Sequence, residues 1–339
     1  MRLLVTGGAG FIGSEFVRMT LAAHADTSIT VLDKLTYAGN MANLAPVAGD
    51  SRYSFVQGDI CDAALVQELS RDADVIVNFA AETHVDRSLQ APGQFIQTDV
   101  YGTFVLMEAA RAAGHERYVQ VSTDEVYGEV LEGRSAEGDA LRPRSPYSAS
   151  KAGAEMLVSA YRASYGFGAI VTRGSNTYGP YQYPEKIVPL FITNAIDDLP
   201  LPLYGRGQAV RDYLHVGDHA RAIDNVLRRG TPGEDYNIAC GNEVSGVDVA
   251  CGVLRALGKP ESLQQFVQDR PGHDRRYAMT AGKLRALGWA PEKDFDGVVV
   301  ETARWYLEHE QWWRPLKSGE FWDFYERNYK PALADPPAR

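Results

Sequence analysis

The chain has 339 residues, of which 45% are hydrophobic and 23% are charged, and its formal net charge is −10. This length allows one large α/β unit, or a larger and a smaller domain that share a cleft. An acidic chain lacks the basic face that a nucleic-acid backbone requires, and no apolar run reaches the ~18 residues of a membrane-spanning helix, so we expect neither partner.

The cysteines Cys61, Cys240 and Cys251 are odd in number and have no paired spacing. They therefore predict neither a disulfide framework nor a zinc site, and we expect no metal. Reduced thiols and the lack of an apolar leader after the first residues lead us to expect a cytoplasmic protein.

The first elements form a dinucleotide-binding pattern. A short apolar strand is predicted at 2–6, and Gly7, Gly10 and Gly13 then lead into an amphipathic helix. Glycines at this spacing permit a tight turn, a close approach of a pyrophosphate and close packing of helix on strand, and the helix N-terminus attracts the phosphates. A second predicted strand ends at Asp33, where an acidic side chain binds ribose hydroxyls and favours NAD over NADP.

The alternation of strands and helices continues along the first half. Asp59 and Ile60 follow another strand-like stretch and could flank the adenine. Further strands are predicted at 75–81 and 118–122, with a helix near 94–113 between them. This order predicts an α/β fold with a Rossmann-type, doubly wound parallel sheet that binds its ligands at the carboxyl ends of the strands.

Tyr147 and Lys151 form the first candidate catalytic pair. Pro146 suits the first turn of a helix, and two residues four apart then share one helix face. Tyrosine ordinarily titrates near ~10, but a neighbouring ammonium and an oxidised nicotinamide both favour the phenolate. The pair can therefore take an alcohol proton while hydride leaves the same carbon. The spacing alone is common, so its weight depends on the dinucleotide-binding pattern upstream.

Thr123, Asp124 and Glu125 follow the strand predicted at 118–122. A simple oxidoreductase needs a hydroxyl here to hold the reacting oxygen, and Thr123 supplies one. Two adjacent carboxyl groups suit the elimination of water, because one group takes a proton from carbon and another protonates the departing hydroxyl. A solvated acidic turn is the alternative, but the position beside the cofactor favours catalysis.

Longer stretches carry a more specific pattern, at 33–40 (DKLTYAGN), 80–88 (AAETHVDRS), 123–128 (TDEVYG), 178–181 (YGPY), 184–186 (PEK) and 269–277 (DRPGHDRRY). With these stretches the chain resembles, over nearly its full length, the dTDP-glucose 4,6-dehydratases, which are extended short-chain dehydrogenase/reductases. Related epimerases usually lack the Asp124–Glu125 pair. GDP-mannose dehydratases and UDP-glucuronate decarboxylases carry Ser-Glu in its place.

The resemblance implies a hydro-lyase that converts dTDP-glucose to dTDP-4-keto-6-deoxy-glucose with tightly bound NAD. Tyr147 takes the 4-hydroxyl proton while C4 gives hydride to NAD. Glu125 then removes the C5 hydrogen as Asp124 protonates the leaving 6-hydroxyl, the hydride returns to C6, and C5 is reprotonated. Thr123 hydrogen-bonds the 4-oxygen, and Lys151 the nicotinamide ribose. The resemblance also implies a homodimer, built on helices near 94–113 and 145–165.

The resemblance further implies two sets of binding residues. The cofactor set is Gly7, Gly10, Phe11, Ile12, Gly13, Asp33, Lys34, Leu35, Thr36, Asp59, Ile60, Phe79, Ala80, Ala81, Thr83, Thr98, Tyr147, Lys151 and Asn176. The substrate set is Thr83, His84, Thr123, Asn176, Glu185, Lys186, Ile187, Pro202, Leu203, Tyr204, Arg211, Asn242, Arg270, His273 and Tyr277. Residues 202–204 would line the thymine pocket, and arginine forks match diphosphate oxygens. His273 remains open between a structural role and a ligand.

After residue 173 the alternation loosens. This predicts an NAD-binding domain at 1–174 to which some later segments return, a smaller mixed α/β substrate domain at 175–330 and a tail at 331–339. Two residues depart from the family pattern, Thr177 and Asp99, since each stands where asparagine is usual. Two other functions stay open: a dehydratase or epimerase for a UDP- or CDP-linked sugar, and a non-catalytic NAD-binding protein.

Overall fold

A computed structural model describes residues 1–270 and 272–329, so the predicted tail at 331–339 lies outside the described residues. The strands are β1 (Arg2–Thr6), β2 (Ser28–Asp33), β3 (Tyr53–Gln57), β4 (Val75–Asn78), β5 (Arg117–Thr123), β6 (Ala169–Gly174), β7 (Asn176–Tyr178), β8 (Leu201–Tyr204), β9 (Val210–His215), β10 (Asp235–Ile238), β11 (Glu243–Ser245) and β12 (Gln264–Val267).

The α-helices are α1 (Phe11–Ala23), α2 (Ala63–Arg71), α3 (Val85–Gln90), α4 (Pro92–Phe95), α5 (Thr103–Ala112), α6 (Pro146–Tyr165), α7 (Ile187–Ile196), α8 (Val216–Arg229), α9 (Gly246–Leu257), α10 (Gly282–Ala286), α11 (Phe295–Glu308), α12 (Glu310–Trp313) and α13 (Glu320–Tyr329). No helix within residues 1–270 and 272–329 combines the length and the apolar character that crossing a bilayer requires.

Seven strands form one parallel sheet in the order β3-β2-β1-β4-β5-β6-β10. The chain order reverses between β1 and β4, which is the switch point where doubly wound sheets bind ligands. Apolar side chains of β1, β2 and β4 are buried and pack against helices on both faces, as parallel strands require. The predicted Rossmann-type fold is confirmed.

The remaining strands form two small sheets. In one, β7 runs parallel to β9, which pairs antiparallel with β11; in the other, β8 and β12 are parallel. A separate apolar core joins α7, α9 and α11 to these sheets. Since β10 pairs with β6, part of the later chain returns to the large sheet.

The region predicted as one helix near 94–113 differs in detail. It consists of α4, a π-helical segment at Ile96–Gly102 and α5. The π-helical segment carries Asp99, which is buried and accepts hydrogen bonds from the Ser150 hydroxyl and the Glu82 N–H. The wider turn therefore carries a buried carboxyl group, and π-helical turns are frequent at functional sites.

Candidate active site

The glycine turn between β1 and α1 brings the backbone close to the end of β4. Gly7 has φ of +70°, and a Cβ there would lie 2.5 Å from the Ala80 nitrogen. A Cβ on Gly13 would lie 2.4 Å from the Gly7 oxygen. Gly10 begins the helix without a side-chain cap, so N–H groups of the first turn remain available to an anion.

Asp33 ends β2 beside this turn and is buried. Its two oxygens accept hydrogen bonds from the Ala9 N–H at 2.9 Å and the Leu35 N–H at 2.8 Å. Burial raises the pKa of Asp33, and the two backbone donors oppose the rise. Each carboxylate oxygen has a second lone pair, so the side chain can brace the turn and still accept a ribose hydroxyl. The residues therefore fit a dinucleotide.

A cavity of about 460 Å³ extends from this turn to the small sheets. All predicted cofactor residues except Leu35 line it, and all predicted substrate residues except Asn242 and Tyr277 do so as well. Tyr277 lies behind the wall, since its ring lies 4.1 Å from the Arg211 guanidinium and its hydroxyl donates to Asp274 at 2.6 Å. The Asn242 N–H donates to Asp212.

The end of β5 places three polar residues in this cavity. Thr123 caps a short 3₁₀ turn that begins at Asp124: its hydroxyl accepts the Glu125 N–H at 3.3 Å and donates to the Asp124 carboxylate at 3.2 Å. Asp124 Oδ2, Glu125 Oε2 and the side-chain oxygen of Asn176 are buried without a hydrogen-bond partner in the protein. Buried polar atoms of this kind need a partner, and a polar ligand in the cavity can supply it.

The two carboxyl groups differ in their surroundings. Burial raises the pKa of Asp124 to about 8, and the neighbouring charge of Glu125 adds to the rise. Burial also raises the pKa of Glu125, but Arg270, Arg211 and Lys186 oppose it. Asp124 is therefore suited to hold a proton at neutral pH, whereas Glu125 ionises more readily.

Tyr147 and Lys151 lie in the first turns of α6, which begins with a capping box between Ser145 and Ser148. The Lys151 ammonium donates to the Val121 carbonyl at 2.8 Å. Burial raises the pKa of Tyr147, and the charges of Glu125 and Asp99 raise it further. We expected Lys151 to promote the phenolate of Tyr147. The protein by itself disfavours it, because the Lys151 ammonium is directed to the backbone of β5.

Three basic side chains line the cavity near Glu125. They are Lys186, Arg211 and Arg270, and the charge of each lowers the pKa of Glu125. The Lys186 ammonium donates to the Thr83 hydroxyl at 3.1 Å, and one Arg211 nitrogen donates to the Asp274 carbonyl at 2.8 Å. Three cations in an acidic protein make this region suitable for a dianionic diphosphate.

The far end of the cavity is apolar and aromatic. Pro202, Leu203 and Tyr204 on β8 line it, and the ring of His273 lies 6.0 Å from that of Tyr204. The Tyr204 hydroxyl donates to Asp86 at 2.9 Å. Planar walls of this kind suit a nucleobase.

Glu185 is occupied by contacts within the protein. It accepts hydrogen bonds from the Arg87 guanidinium at 3.0 Å and from the Tyr37 hydroxyl at 2.8 Å. The guanidinium also lies 3.7 Å from the Tyr37 ring centre. Glu185 thus joins the loop after β2 to the helix after β4, and its predicted substrate contact stays a prediction.

Several further residues line the cavity although we assigned them no role from the sequence, and Asp86, His219 and Tyr329 are among them. His219 pairs through Nδ1 with the Thr177 hydroxyl at 2.7 Å, and burial lowers its pKa to about 4. Asp86 lies within the family-specific stretch at 80–88, so the sequence held a signal that could have identified it. Tyr329 is distant in sequence from every motif.

The sheet order, the glycine turn and the Tyr147–Lys151 helix define an extended short-chain dehydrogenase/reductase. A family model described as GDP-mannose 4,6 dehydratase matches residues 4–302. A dTDP-glucose 4,6-dehydratase of Streptomyces niveus is 49% identical over 323 residues, which cover 94% of this chain and 96% of that protein.

Solved structures agree with this assignment. DesIV, a dTDP-glucose 4,6-dehydratase of Streptomyces venezuelae solved with NAD bound, has a TM-score of 0.92 and 50% identity, and the match covers 94% of this chain and 100% of that one. A UDP-glucose 4-epimerase of Thermus thermophilus, also in complex with NAD, has a TM-score of 0.84 at 35% identity and covers 91% of this chain and 100% of that one. The chain belongs to the dTDP-glucose 4,6-dehydratase family.

Proposed function

We propose that the protein is an NAD-dependent hydro-lyase that converts dTDP-glucose to dTDP-4-keto-6-deoxy-glucose and water. The observation that carries this proposal is the Asp124–Glu125 pair at the end of β5, in the same cavity as Tyr147: Asp124 is buried, and each carboxyl group has one buried oxygen without a partner in the protein. An oxidoreductase or epimerase needs the tyrosine but has no use for a protonated acid beside a second carboxylate. Membership of the dTDP-glucose 4,6-dehydratase family supports the substrate.

The first step needs a base at the sugar 4-hydroxyl. NAD, when bound, supplies the hydride acceptor at C4 and the hydride donor at C6. Tyr147 takes the 4-hydroxyl proton, and Thr123 hydrogen-bonds the same oxygen. Lys151 and Asp33 are proposed to hold the two ribose rings of the cofactor.

The elimination uses the two carboxyl groups. The ketone at C4 acidifies the C5 hydrogen, and Glu125 removes it as a proton. Asp124 gives its proton to the 6-hydroxyl, the bond from C6 to oxygen breaks, and water leaves. Reduction at C6 also requires a proton at C5, and Glu125 returns the proton that it removed. The pKa of Asp124 near 8 keeps that proton in place at neutral pH. Lys186, Arg211 and Arg270 hold the diphosphate, and residues 202–204 hold the thymine.

The test is an assay of the purified protein with dTDP-glucose and without added NAD, followed by the base-induced absorbance of a 4-keto-6-deoxy sugar. Product is expected, because a cofactor that is regenerated in each turnover remains bound. Turnover of UDP-, GDP- or CDP-sugars in place of dTDP-glucose would contradict the proposal that dTDP-glucose is the substrate. Binding of NAD without turnover of any of them would overturn the enzymatic function.

We further propose the domain division predicted from the sequence, at 1–174 and 175–330. The two small sheets and the separate core around α7, α9 and α11 support it. We also propose a cytoplasmic location, since Cys61, Cys240 and Cys251 are free thiols.

A homodimer through the helices near 94–113 and 145–165 is also proposed. Five of the ten exposed large hydrophobic side chains among the described residues lie on these helices, which pack against each other: Ile96, Tyr101, Phe104, Met156 and Tyr165. Exposed apolar side chains on neighbouring helices mark a surface that another chain can cover. Light scattering of Met156→Glu tests it: a monomer is expected, with Leu307→Glu, exposed on α11, as the matched control that stays dimeric. A monomeric native protein would contradict the proposal.

A further inference from the structure

The C-terminal helix α13 contacts one wall of the cavity through its first turns. The ring of Phe324 meets His84 edge-on, with 5.2 Å between ring centres, and lies 5.1 Å from the Arg87 guanidinium. Glu320 accepts a hydrogen bond from Arg87 at 2.9 Å. His84 and Arg87 belong to the segment after β4, so this end of α13 is attached to the Rossmann part of the protein.

The last residue of α13 contacts strand β8, which also lines the cavity. The Tyr329 ring lies 5.4 Å from that of Tyr204, and Tyr329 is only 8% exposed. Tyr329 lines the same cavity as Pro202, Leu203 and Tyr204. Tyr204 is therefore fixed at two points, by its hydroxyl on Asp86 and by the ring of Tyr329.

The segment before α13 anchors the helix to the smaller core. Lys317 is buried, and its ammonium donates to the Asn194 side chain at 2.9 Å and to the Thr193 hydroxyl at 3.3 Å. Both acceptors belong to α7. The start of the segment is thus held independently of the cavity, and the end at Tyr329 faces it.

We propose that α13 is part of the nucleotide site and that Tyr329 is a specificity-determining residue for the nucleoside end of the substrate. The inference rests on the proposed function and extends it to a helix that lies outside every sequence motif described above. The ring of Tyr329 packs against that of Tyr204, so its loss allows the Tyr204 ring to tilt and widens the space for a pyrimidine. The ligand class is a pyrimidine nucleoside diphosphate sugar.

The test compares Tyr329→Ala with Trp322→Ala. Trp322 belongs to the same helix, but its ring contacts Phe321 and Tyr325 and does not line the cavity. For Tyr329→Ala we expect KM for dTDP-glucose and Kd for dTDP to rise up to ~10-fold, since the loss of one aromatic contact changes affinity by up to about that factor. We expect kcat to stay within ~2-fold of the native value. Trp322→Ala is expected to leave both KM and Kd within ~2-fold, and Tyr329→Phe, which keeps the ring, to raise both less than Tyr329→Ala does.

Unchanged KM and Kd in Tyr329→Ala would overturn the inference. An equal rise in Trp322→Ala would also overturn it, because general loosening of α13 would then explain the effect. If Tyr329→Ala does not fold, Tyr329→Leu keeps an apolar side chain without the planar ring and is held to the same expectation. The native protein is assayed in parallel: no turnover of dTDP-glucose there would defeat the proposed function, whereas native activity with unaffected variants would defeat this inference alone.

Discussion

The carboxyl groups of Asp124 and Glu125 are adjacent in the chain, and each buries one oxygen that has no hydrogen-bond partner in the protein. Burial raises the pKa of both, to about 8 for Asp124, while Arg270, Arg211 and Lys186 oppose the rise at Glu125. Environment thus separates two like groups into an acid and a base, which is what the removal of water from a sugar requires.

Asp124→Asn should lower kcat by ~10²-fold or more, because an amide cannot protonate the leaving hydroxyl. In the native protein the same reasoning predicts a loss of rate as pH rises through about 8, where Asp124 gives up the proton that it must donate. The measurement is the pH dependence of kcat for both proteins. A native rate that is flat between pH 7 and about 9 would remove Asp124 as the acid.

Glu125→Gln should retain oxidation at C4 and block the loss of water, because the amide cannot take the C5 proton. Single-turnover absorbance of reduced nicotinamide measures the first step, and formation of the 4-keto-6-deoxy product measures the second. We expect reduced cofactor to accumulate without product. Product formation at the native rate would exclude Glu125 as the carbon base.

Tyr147→Phe should reduce the rate of hydride transfer by ~10²–10⁴-fold, which is the usual contribution of a positioned base. The phenylalanine ring keeps the edge-on contact with Phe95, whose ring centre lies 6.2 Å away, so the fold should be unaffected. Single-turnover reduction of bound NAD measures the rate, and the midpoint of thermal unfolding serves as the control. A native rate in this variant would assign the base elsewhere.

Asp99→Asn should lower the pKa of Tyr147, because the Asp99 charge raises it. Burial raises the pKa of Asp99 itself to about 6, so the carboxylate is largely ionised at neutral pH and is neutralised as pH falls through about 6. The amide keeps an acceptor for Ser150. We expect the pH profile of C4 oxidation to move to lower pH. An unshifted profile would show that the Asp99 charge does not affect the pKa of Tyr147.

Asp33→Ala should weaken NAD binding by ~10- to 100-fold, because a hydrogen bond to a charged group contributes roughly 1.5–3 kcal/mol. The change also removes the acceptor of the Ala9 and Leu35 N–H groups, so Asp33→Asn, which keeps one acceptor, is the matched variant. Titration calorimetry on protein freed of its cofactor gives Kd. Native affinity in both variants would show that the ribose is held by other groups.

Much of the fold follows from local patterns. The apolar strands, the glycine turn and the Tyr147–Lys151 helix were all predictable. Buried strands, close contacts between backbone segments and helical spacing each produce a recognisable pattern within a few residues. β4 illustrates the limit: a strand was predicted at 75–81, but it ends at Asn78, where the chain turns toward the cavity.

The contacts that shape the cavity were less predictable, because they join distant parts of the chain. Glu185 meets Arg87 and Tyr37, and Tyr329 meets Tyr204, yet no periodic pattern links these residues. The Lys151 ammonium turns to a backbone carbonyl, which sequence spacing cannot show. Such contacts depend on how helices pack onto the sheet.

Transfer of the C4 hydrogen to C6 within one substrate molecule is the central chemical claim, and an isotope measurement tests it most directly. The protein is incubated with dTDP-glucose that carries deuterium at C4, and the product is examined by mass spectrometry and NMR. The account predicts a 4-keto-6-deoxy sugar with the deuterium in its C6 methyl group. A product that lacks deuterium at C6, or a sugar that is inverted at C4 and keeps its 6-hydroxyl, would contradict it.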